Sequence, residues 1–277
     1  MGRFDGKVAL ITGGARGQGR SHALHLAREG ADIAISDSLG GLRTVPYPVS
    51  EHADMIETQK LIEAEGRRCL TFQADVRDYA AMTEVADVTV AELGRVDILL
   101  ANAGILSACT IEDMTQEVWD EMIGVNLTGV FNAFHAVIPH MKRQQYGRIV
   151  ATSSGGGRLG FPNIGHYIAA KWGVIGLVKS LALEVVKDNI TVNAVTPTNV
   201  NTGMIRNKAM EDLFLPGIES PTQEQIEAAF VINPMGVPWI EPEYVSKLIM
   251  FLVSDDARFI SGETMGPLAG QAASNAV

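Results

Sequence analysis

Cysteine is nearly missing from this chain, with Cys69 and Cys109 the two in 277 residues. Two thiols cannot staple a small disulfide scaffold, and their scarcity fits a reducing compartment. Both read as small core hydrophobes. Positive charge is also short, 22 Lys and Arg against 32 Asp and Glu, for a net charge of −10. With no basic cluster, nucleic acid and anionic membranes are poor partners. No apolar run approaches the ~20 residues of a membrane span. The opening MGRFDGKVALITGG passes straight into a strand pattern, without the apolar segment and cleavage site of a signal peptide. The sequons at Asn126 and Asn189 are then coincidences, and a cytoplasmic location is expected. The histidines lack metal-ligand spacing, so no metal is expected.

What is present is apolar content of 47%, enough for one sizeable core. Strand-like runs alternate with helical periodicity from end to end, at 7–12, 31–36, 68–74, 96–101, 148–152, 189–196 and 259–268. That pattern predicts an α/β fold: one Rossmann-type, doubly wound parallel sheet of about seven strands with helices on both faces. Residues 1–277 are expected as a single domain, with 38–50 as an insertion loop. Segment 198–238, rich in Met, Asn and Pro, is expected to cover a ligand as a helical lid. It carries a helix start at Ser220-Pro-Thr-Gln223, read as a capping box with Pro at the first position.

The first strand runs into Gly13-Gly14-Ala15-Arg16-Gly17-Gln18-Gly19, and a helix is expected from Arg20. Strand, glycine loop and helix together let backbone N–H groups and a helix N-terminus meet a pyrophosphate. Asp37 ends the second strand, close to the ~20-residue offset at which an acid accepts bonds from the adenosine ribose. It favours NAD over NADP. Arg16 in the glycine loop argues for a 2′-phosphate, but is free to swing into solvent while Asp37 lies against the ribose. Asn102-Ala103-Gly104 follows the fourth strand, where small residues let backbone approach a flat ring. Asn126 interrupts the apolar helix predicted over Thr115–Arg143, so it either faces solvent or does something polar inside.

Ser153-Ser154-Gly155-Gly156-Gly157 ends the fifth strand, and Tyr167-Ile-Ala-Ala-Lys171 opens the next long helix. Four residues apart, Tyr167 and Lys171 share one helix face. The ammonium would stabilise the phenolate and lower the Tyr167 pKa from about 10. Such a phenol trades a proton with an alcohol or carbonyl oxygen, and Ser154 is placed to hold that oxygen. Tyr and Lys at this spacing are common by chance, as a snorkelling Lys beside a half-buried Tyr. The surrounding motifs decide for chemistry.

Taken together, Thr12 to Gly19, Asp75-Val76, Asn102 to Gly104, Asn126, Ser154 and Tyr167-x-x-x-Lys171 resemble the short-chain dehydrogenase/reductase family over nearly the whole chain. The resemblance implies Tyr167 as general acid/base, Lys171 tuning it and binding the nicotinamide ribose, and Ser154 orienting the substrate. Asn126 would hold a relay water, Asp75 and Val76 would contact adenine, and Pro197, Val200 and Thr202 would meet the nicotinamide end. A homotetramer is implied as well. The segment from Asp37 to Asp75, with Gly17 to His22 and Pro197 to Thr202, is similar to the mycofactocin-coupled, carveol-dehydrogenase-like branch. That branch implies tightly held NAD, re-oxidised in place by a peptide-derived redox partner, and the 38–50 loop offers a way to slow its release. Two departures stand out. Pro197-Thr198 replaces the usual Pro-Gly, and Pro267-Leu-Ala-Gly270 replaces a Val-Asp-Gly-Gly ending.

The leading expectation is an NAD-dependent oxidoreductase interconverting a hydrophobic secondary alcohol, terpenoid or steroid-like, and its ketone. Leu106, Leu159, Phe161, Met204, Met210, Phe214 and Trp239 are the candidate pocket residues. Two alternatives carry weight: an NADPH-dependent 3-oxoacyl-carrier reductase, against which Asp37 speaks, and a non-catalytic NAD-sensing module on the same fold. The intact Asn126, Ser154, Tyr167 and Lys171 set speaks against the second.

Overall fold

Seven parallel strands run in the order β3-β2-β1-β4-β5-β6-β7: β1 Val8–Thr12, β2 Asp32–Asp37, β3 Cys69–Gln73, β4 Ile98–Ala101, β5 Gly147–Thr152, β6 Ile190–Val195 and β7 Thr264–Met265. This is a computed structural model, and it describes residues 2–274. The doubly wound sheet matches the expectation. Strands β1, β4, β5 and β6 are buried along their whole length, as continuous Val, Ile, Leu and Ala runs demand when helices cover both faces. The last strand is two residues, a short strand within the 259–268 segment expected to hold one.

Helices α1 (Gly17–Arg28), α2 (His52–Ala64) and α9 (Pro242–Leu252) contribute to one core cluster, with Ala23, Leu26, Met55, Ile62, Val245 and Ile249 packed against sheet residues such as Ile11 and Ile33. Helices α3 (Tyr79–Leu93), α4 (Gln116–Ile123), α5 (Gly129–Gln144) and α6 (Gly165–Val185) contribute to the other, around Met82, Met122, Val137, Val174 and Val178. Strand order reverses between β1 and β4, and the crevice at such a switch point is where open α/β sheets bind ligands.

The helix predicted from Thr115 is interrupted by a π turn over Gly124–Thr128 that contains Asn126. Gln116–Gln144 as a whole is long and apolar enough, by length and composition, to cross a membrane. That corrects the expectation of no such run. Here it packs against α3 and α6, and Asn126, Asn132 and His140 are buried along it.

Segment 198–238 holds two helices. α7 (Lys208–Phe214) was not foreseen, and α8 spans Gln223–Phe230. The capping box of α8 is Thr222 with Gln225, two residues beyond the predicted start. The hydroxyl of Thr222 accepts from the N3 amide, and Ser220 and Pro221 lie before the cap. Met210, Ile226 and Phe230 form a small core of their own with Leu106.

Candidate active site

Two adjoining cavities lie at the carboxyl ends of the strands. The first is bounded by Gly13, Arg16, Gly17, Gln18, Asp37, Asp75, Val76, Asn102, Ala103, Gly104 and Thr202, eleven of the sixteen residues expected to hold a dinucleotide. Gly13 has φ +65°, and a Cβ there would lie 2.8 Å from Ala103 Cα, so only glycine lets the two loops close on each other. Gly19 lies underneath, where a Cβ would meet the Gly13 carbonyl oxygen at 2.1 Å. Helix α1 has neither a side-chain cap nor an acid in its first turn, leaving its amide donors for an anion. The cradle fits a dinucleotide.

Asp37 accepts from Ala15 N–H at 3.2 Å and from the Ser50 hydroxyl. Leu39 N–H also donates to it at 3.5 Å, so of a carboxylate's roughly four acceptor sites about one is left for a ribose hydroxyl. Arg16 does not swing into solvent as expected; its guanidinium donates to the Pro48 carbonyl. Asp75 lines the cavity, but its carboxylate is taken up by Arg77 at 2.6 Å. Burial pushes the Asp75 carboxyl up, and the Arg77 bonds outweigh it and hold it low. Segment 38–50 is tied down at several points. Tyr47 Oη accepts from Leu106 N–H at 3.1 Å. Glu121 accepts from Arg43 N–H, Thr44 N–H and the Thr44 hydroxyl, and Arg77 donates to Gly41 O. Tyr47 lines the cofactor cavity; within the 38–50 segment no spacing singles it out.

The second cavity, of about 360 Å³, is lined by Asn126, Ser154, Tyr167, Lys171, Pro197 and Val200 among others. Gln18, Asn102, Gly104, Thr202 and Met204 border both cavities. Ser154 caps the turn after β5, its Oγ accepting from Gly156 N–H at 3.1 Å. Lys171 is 3% exposed, and its Nζ donates to Thr152 O at 2.9 Å while lying 5.6 Å from the Tyr167 ring centroid. Burial lowers Lys171 to about 8, so it stays mostly protonated near neutrality. Tyr167 departs from expectation: burial pushes its pKa up, and the neighbouring Ser154 hydroxyl pulls it back only in part. The resting phenol therefore holds its proton.

Asn126 faces inward. Its Oδ1 accepts from Ile105 N–H at 3.1 Å, and its Nδ2 donates to Ile105 O at 3.0 Å and Met122 O at 3.2 Å. The side chain thus fastens the loop after β4 to the π turn, a helix irregularity common at functional sites.

Leu106, Phe161, Met204, Met210 and Phe214 line the second cavity. Leu159 and Trp239 are not among its walls, which corrects their assignment. Trp239 packs edge-on against Phe230 at 6.0 Å and beneath Arg206 at 4.1 Å, half-buried against the small core of Met210, Ile226 and Phe230. The segment before Leu159 is drawn toward β7, where Arg158 donates to Thr264 O. Thr198, Asn199, Asn163 and Gln271 also line the cavity; no local spacing marks them, because they come from separate loops. Among the described residues, no cluster of metal-binding side chains is present.

A parallel sheet with a glycine cradle at its switch point and a Ser-Tyr-Lys set in the adjoining cavity defines a dinucleotide-dependent oxidoreductase. The short chain dehydrogenase family matches residues 7–212, and the chain belongs to that family. It is 44% identical over 273 residues to (−)-trans-carveol dehydrogenase of Rhodococcus erythropolis, covering 98% of this chain and 99% of that one. The crystal structure of carveol dehydrogenase from Mycobacterium avium in complex with NAD superimposes with a TM-score of 0.96 at 43% identity, over 99% and 100% of the chains. A short chain dehydrogenase from Mycobacterium paratuberculosis bound to NAD gives 0.89 at 34%, over 98% and 99%. The protein is an enzyme, an oxidoreductase of this family acting on CH–OH groups.

Proposed function

We propose that this enzyme uses NAD to interconvert a hydrophobic secondary alcohol of terpenoid size and its ketone. One observation carries the reading: Ser154, Tyr167 and Lys171 border a largely apolar cavity that shares Gln18, Asn102, Gly104, Thr202 and Met204 with the glycine-lined one. The relatives named for carveol and the wall of Leu106, Phe161, Met204, Met210 and Phe214 support an apolar cyclic substrate. NAD is the cofactor; the cradle of Gly13, Gly17 and Gln18 would take its pyrophosphate, Asp37 its ribose, and Pro197, Val200 and Thr202 its nicotinamide end. When bound, it supplies the acceptor or donor of hydride. Asp37 at the end of β2 speaks for NAD over NADP and against the carrier-reductase alternative.

The chain's own residues handle the proton. Tyr167, protonated at rest, can give its proton to a ketone oxygen held by Ser154; in the other direction its phenolate takes the proton of the alcohol. The buried Lys171 is the nearby cation that favours the phenolate once it forms. In our reading Asn126 fixes the loop that walls the site and holds a water of the relay. Because the resting phenol has a raised pKa, alcohol oxidation should climb with pH through the alkaline range while ketone reduction falls. Opposite slopes in initial-rate profiles over a terpene alcohol and ketone panel would support the assignment. Identical flat profiles would sink it.

We read residues 1–277 as one domain, with 38–50 a strap over the cofactor that slows NAD release and 198–238 the substrate lid. Exposed Trp119, Phe131, Trp172 and Leu183 on α4, α5 and α6 support a subunit interface, and we read the protein as a homotetramer of the cytoplasm. Slow exchange of NAD would call for a redox partner that re-oxidises it in place. Mass spectrometry of the purified protein for co-purifying NAD tests the strap.

A further inference from the structure

The substrate cavity is not apolar throughout. Thr198 and Gln271 also line it, at 9% and 8% exposure. The Thr198 Oγ1 atom is buried with no hydrogen-bond partner among the described residues. A buried hydroxyl left unanswered costs stability and calls for an explanation. Gln271 is half committed: its Nε2 donates to Ile232 O at 3.3 Å. A carbonyl can only accept, so the amide nitrogen must face Ile232, and the amide oxygen is left for the other side. That oxygen looks toward Gly155, where a Cβ would lie 3.1 Å from it.

Gly155 directly follows Ser154, and its N–H donates to Pro197 O at 2.9 Å, while Thr198 N–H donates to Pro267 O at 3.4 Å. The loop after β5, the loop after β6 and the C-terminal segment therefore meet in one corner beside Ser154. Pro197-Thr198 and Pro267 to Gly270, the two stretches singled out above as departures, are hydrogen-bonded neighbours.

We propose that this corner binds a second hydroxyl on the substrate, so that the enzyme acts on secondary alcohols carrying a further hydroxyl group. The Gln271 oxygen can only accept, and the Thr198 hydroxyl can donate. A substrate hydroxyl answers both at once, donating to the first and accepting from the second. A carbonyl there would answer Thr198 alone, and a hydrocarbon neither. Sites built this way reject an analogue lacking the polar group far more strongly than they count methylenes. The proposal rests on the alcohol/ketone reading above.

A matched pair tests it: a cyclic C10 monoalcohol and the same ring with one further hydroxyl. Calorimetric Kd on the NAD-loaded protein and kcat/KM with NAD are each expressed as the diol-to-monoalcohol preference. Wild type should favour the diol by roughly tenfold, the size of one or two buried hydrogen bonds. Thr198→Val, close in volume, should cut the preference to about twofold, Gln271→Leu should do the same, and Thr198→Ser should restore most of it. Because each preference compares two ligands on one variant, a general loss of folding or catalysis cancels. A diol that binds no better than the monoalcohol overturns the proposal, and so does a wild-type preference surviving in Thr198→Val. Turnover of neither alcohol with the calorimetric preference intact would sink the substrate reading of the previous subsection while upholding this corner.

Discussion

The cofactor and substrate cavities differ in what their walls are made of. Around the first, the wall is backbone at glycines and strand ends, closed by a segment held through many polar bonds: Ser50 on Asp37, Tyr47 on Leu106, Thr44 on Glu121. Around the second, segment 198–238 contributes side chains such as Met204, Met210, Leu213 and Phe214, backed by a small apolar core of Met210, Ile226 and Phe230. Glycine spacing and strand ends suit a ligand that never varies, and a side-chain wall can be recut for each substrate. The fold thus separates constant chemistry from variable recognition, at the residues that border both cavities.

The sharpest way to break this division is at the proton. Tyr167→Phe removes the group we propose exchanges it, and kcat should fall by about 10²–10⁴ with NAD still bound. Steady-state rates and a cofactor count on the same sample check both halves; comparable losses of NAD and turnover would mean the two cavities are not separable. Asp37→Ala comes next. It removes the acceptor of Ala15 N–H and the Ser50 hydroxyl along with the ribose partner, so NAD affinity should drop by about 10- to 100-fold, the span of a charged hydrogen bond. NADP should lose much less, and paired titrations of the two cofactors measure the change in preference.

The same division explains what could be read without coordinates. Buried parallel strands are continuous apolar runs, and the glycine loop is defined by spacing, so the sheet was legible from runs along the whole chain and the cradle from residues 7–37. Asn126 was legible as an anomaly, a polar residue inside an apolar helix, though not the π turn that presents it. The direction of the Tyr167 shift was not, because spacing puts Lys171 nearby but says nothing of how deeply the phenol is buried. Trp239 and Leu159 look like pocket residues in sequence; whether an aromatic packs the lid or faces the ligand depends on Phe230 and Arg206. Arg16 was misjudged for a related reason, since its partner, Pro48, lies in a loop of no regular structure. Thr198 and Gln271 were invisible as a pair because only the tertiary fold joins them.

Segment 38–50, proposed above as a strap, should give a smaller and pH-dependent effect. Burial pushes the Glu121 carboxyl up, and the bonds from Thr44, Arg43 and Arg77 outweigh it and hold it below the ordinary value. A carboxyl lowered in the fold contributes stability above the unfolded pKa, near ~4.3, and loses it as pH falls through the folded value. NAD release should therefore quicken as pH drops below about 4. Glu121→Ala should raise the release rate by roughly three- to tenfold near neutrality, for loss of part of a charged bond network, and flatten the acid dependence. Stopped-flow displacement of bound NADH, followed by its fluorescence, reads both. A pH-dependent rate surviving in the variant would place the strap's anchor elsewhere.

Trp239 separates the lid's interior from the pocket wall with the least effect of all. Its ring contacts Phe230 and Arg206 rather than the cavity, so Trp239→Phe should cost stability and leave recognition alone. Losing part of a packed aromatic while keeping the edge-on ring contact leaves a small cavity, worth about 1–2 kcal/mol, read as a lowered midpoint in urea unfolding. KM for the same alcohol should stay within about twofold, since no wall atom is removed. Phe214→Leu is the matched control: Phe214 lines the cavity and stacks on Phe230 at 4.4 Å, so that change should move KM and stability together. If Trp239→Phe shifts KM as far as Phe214→Leu does, the lid has no interior distinct from the pocket, and the division between a fixed cradle and a recut wall must be drawn elsewhere in the molecule.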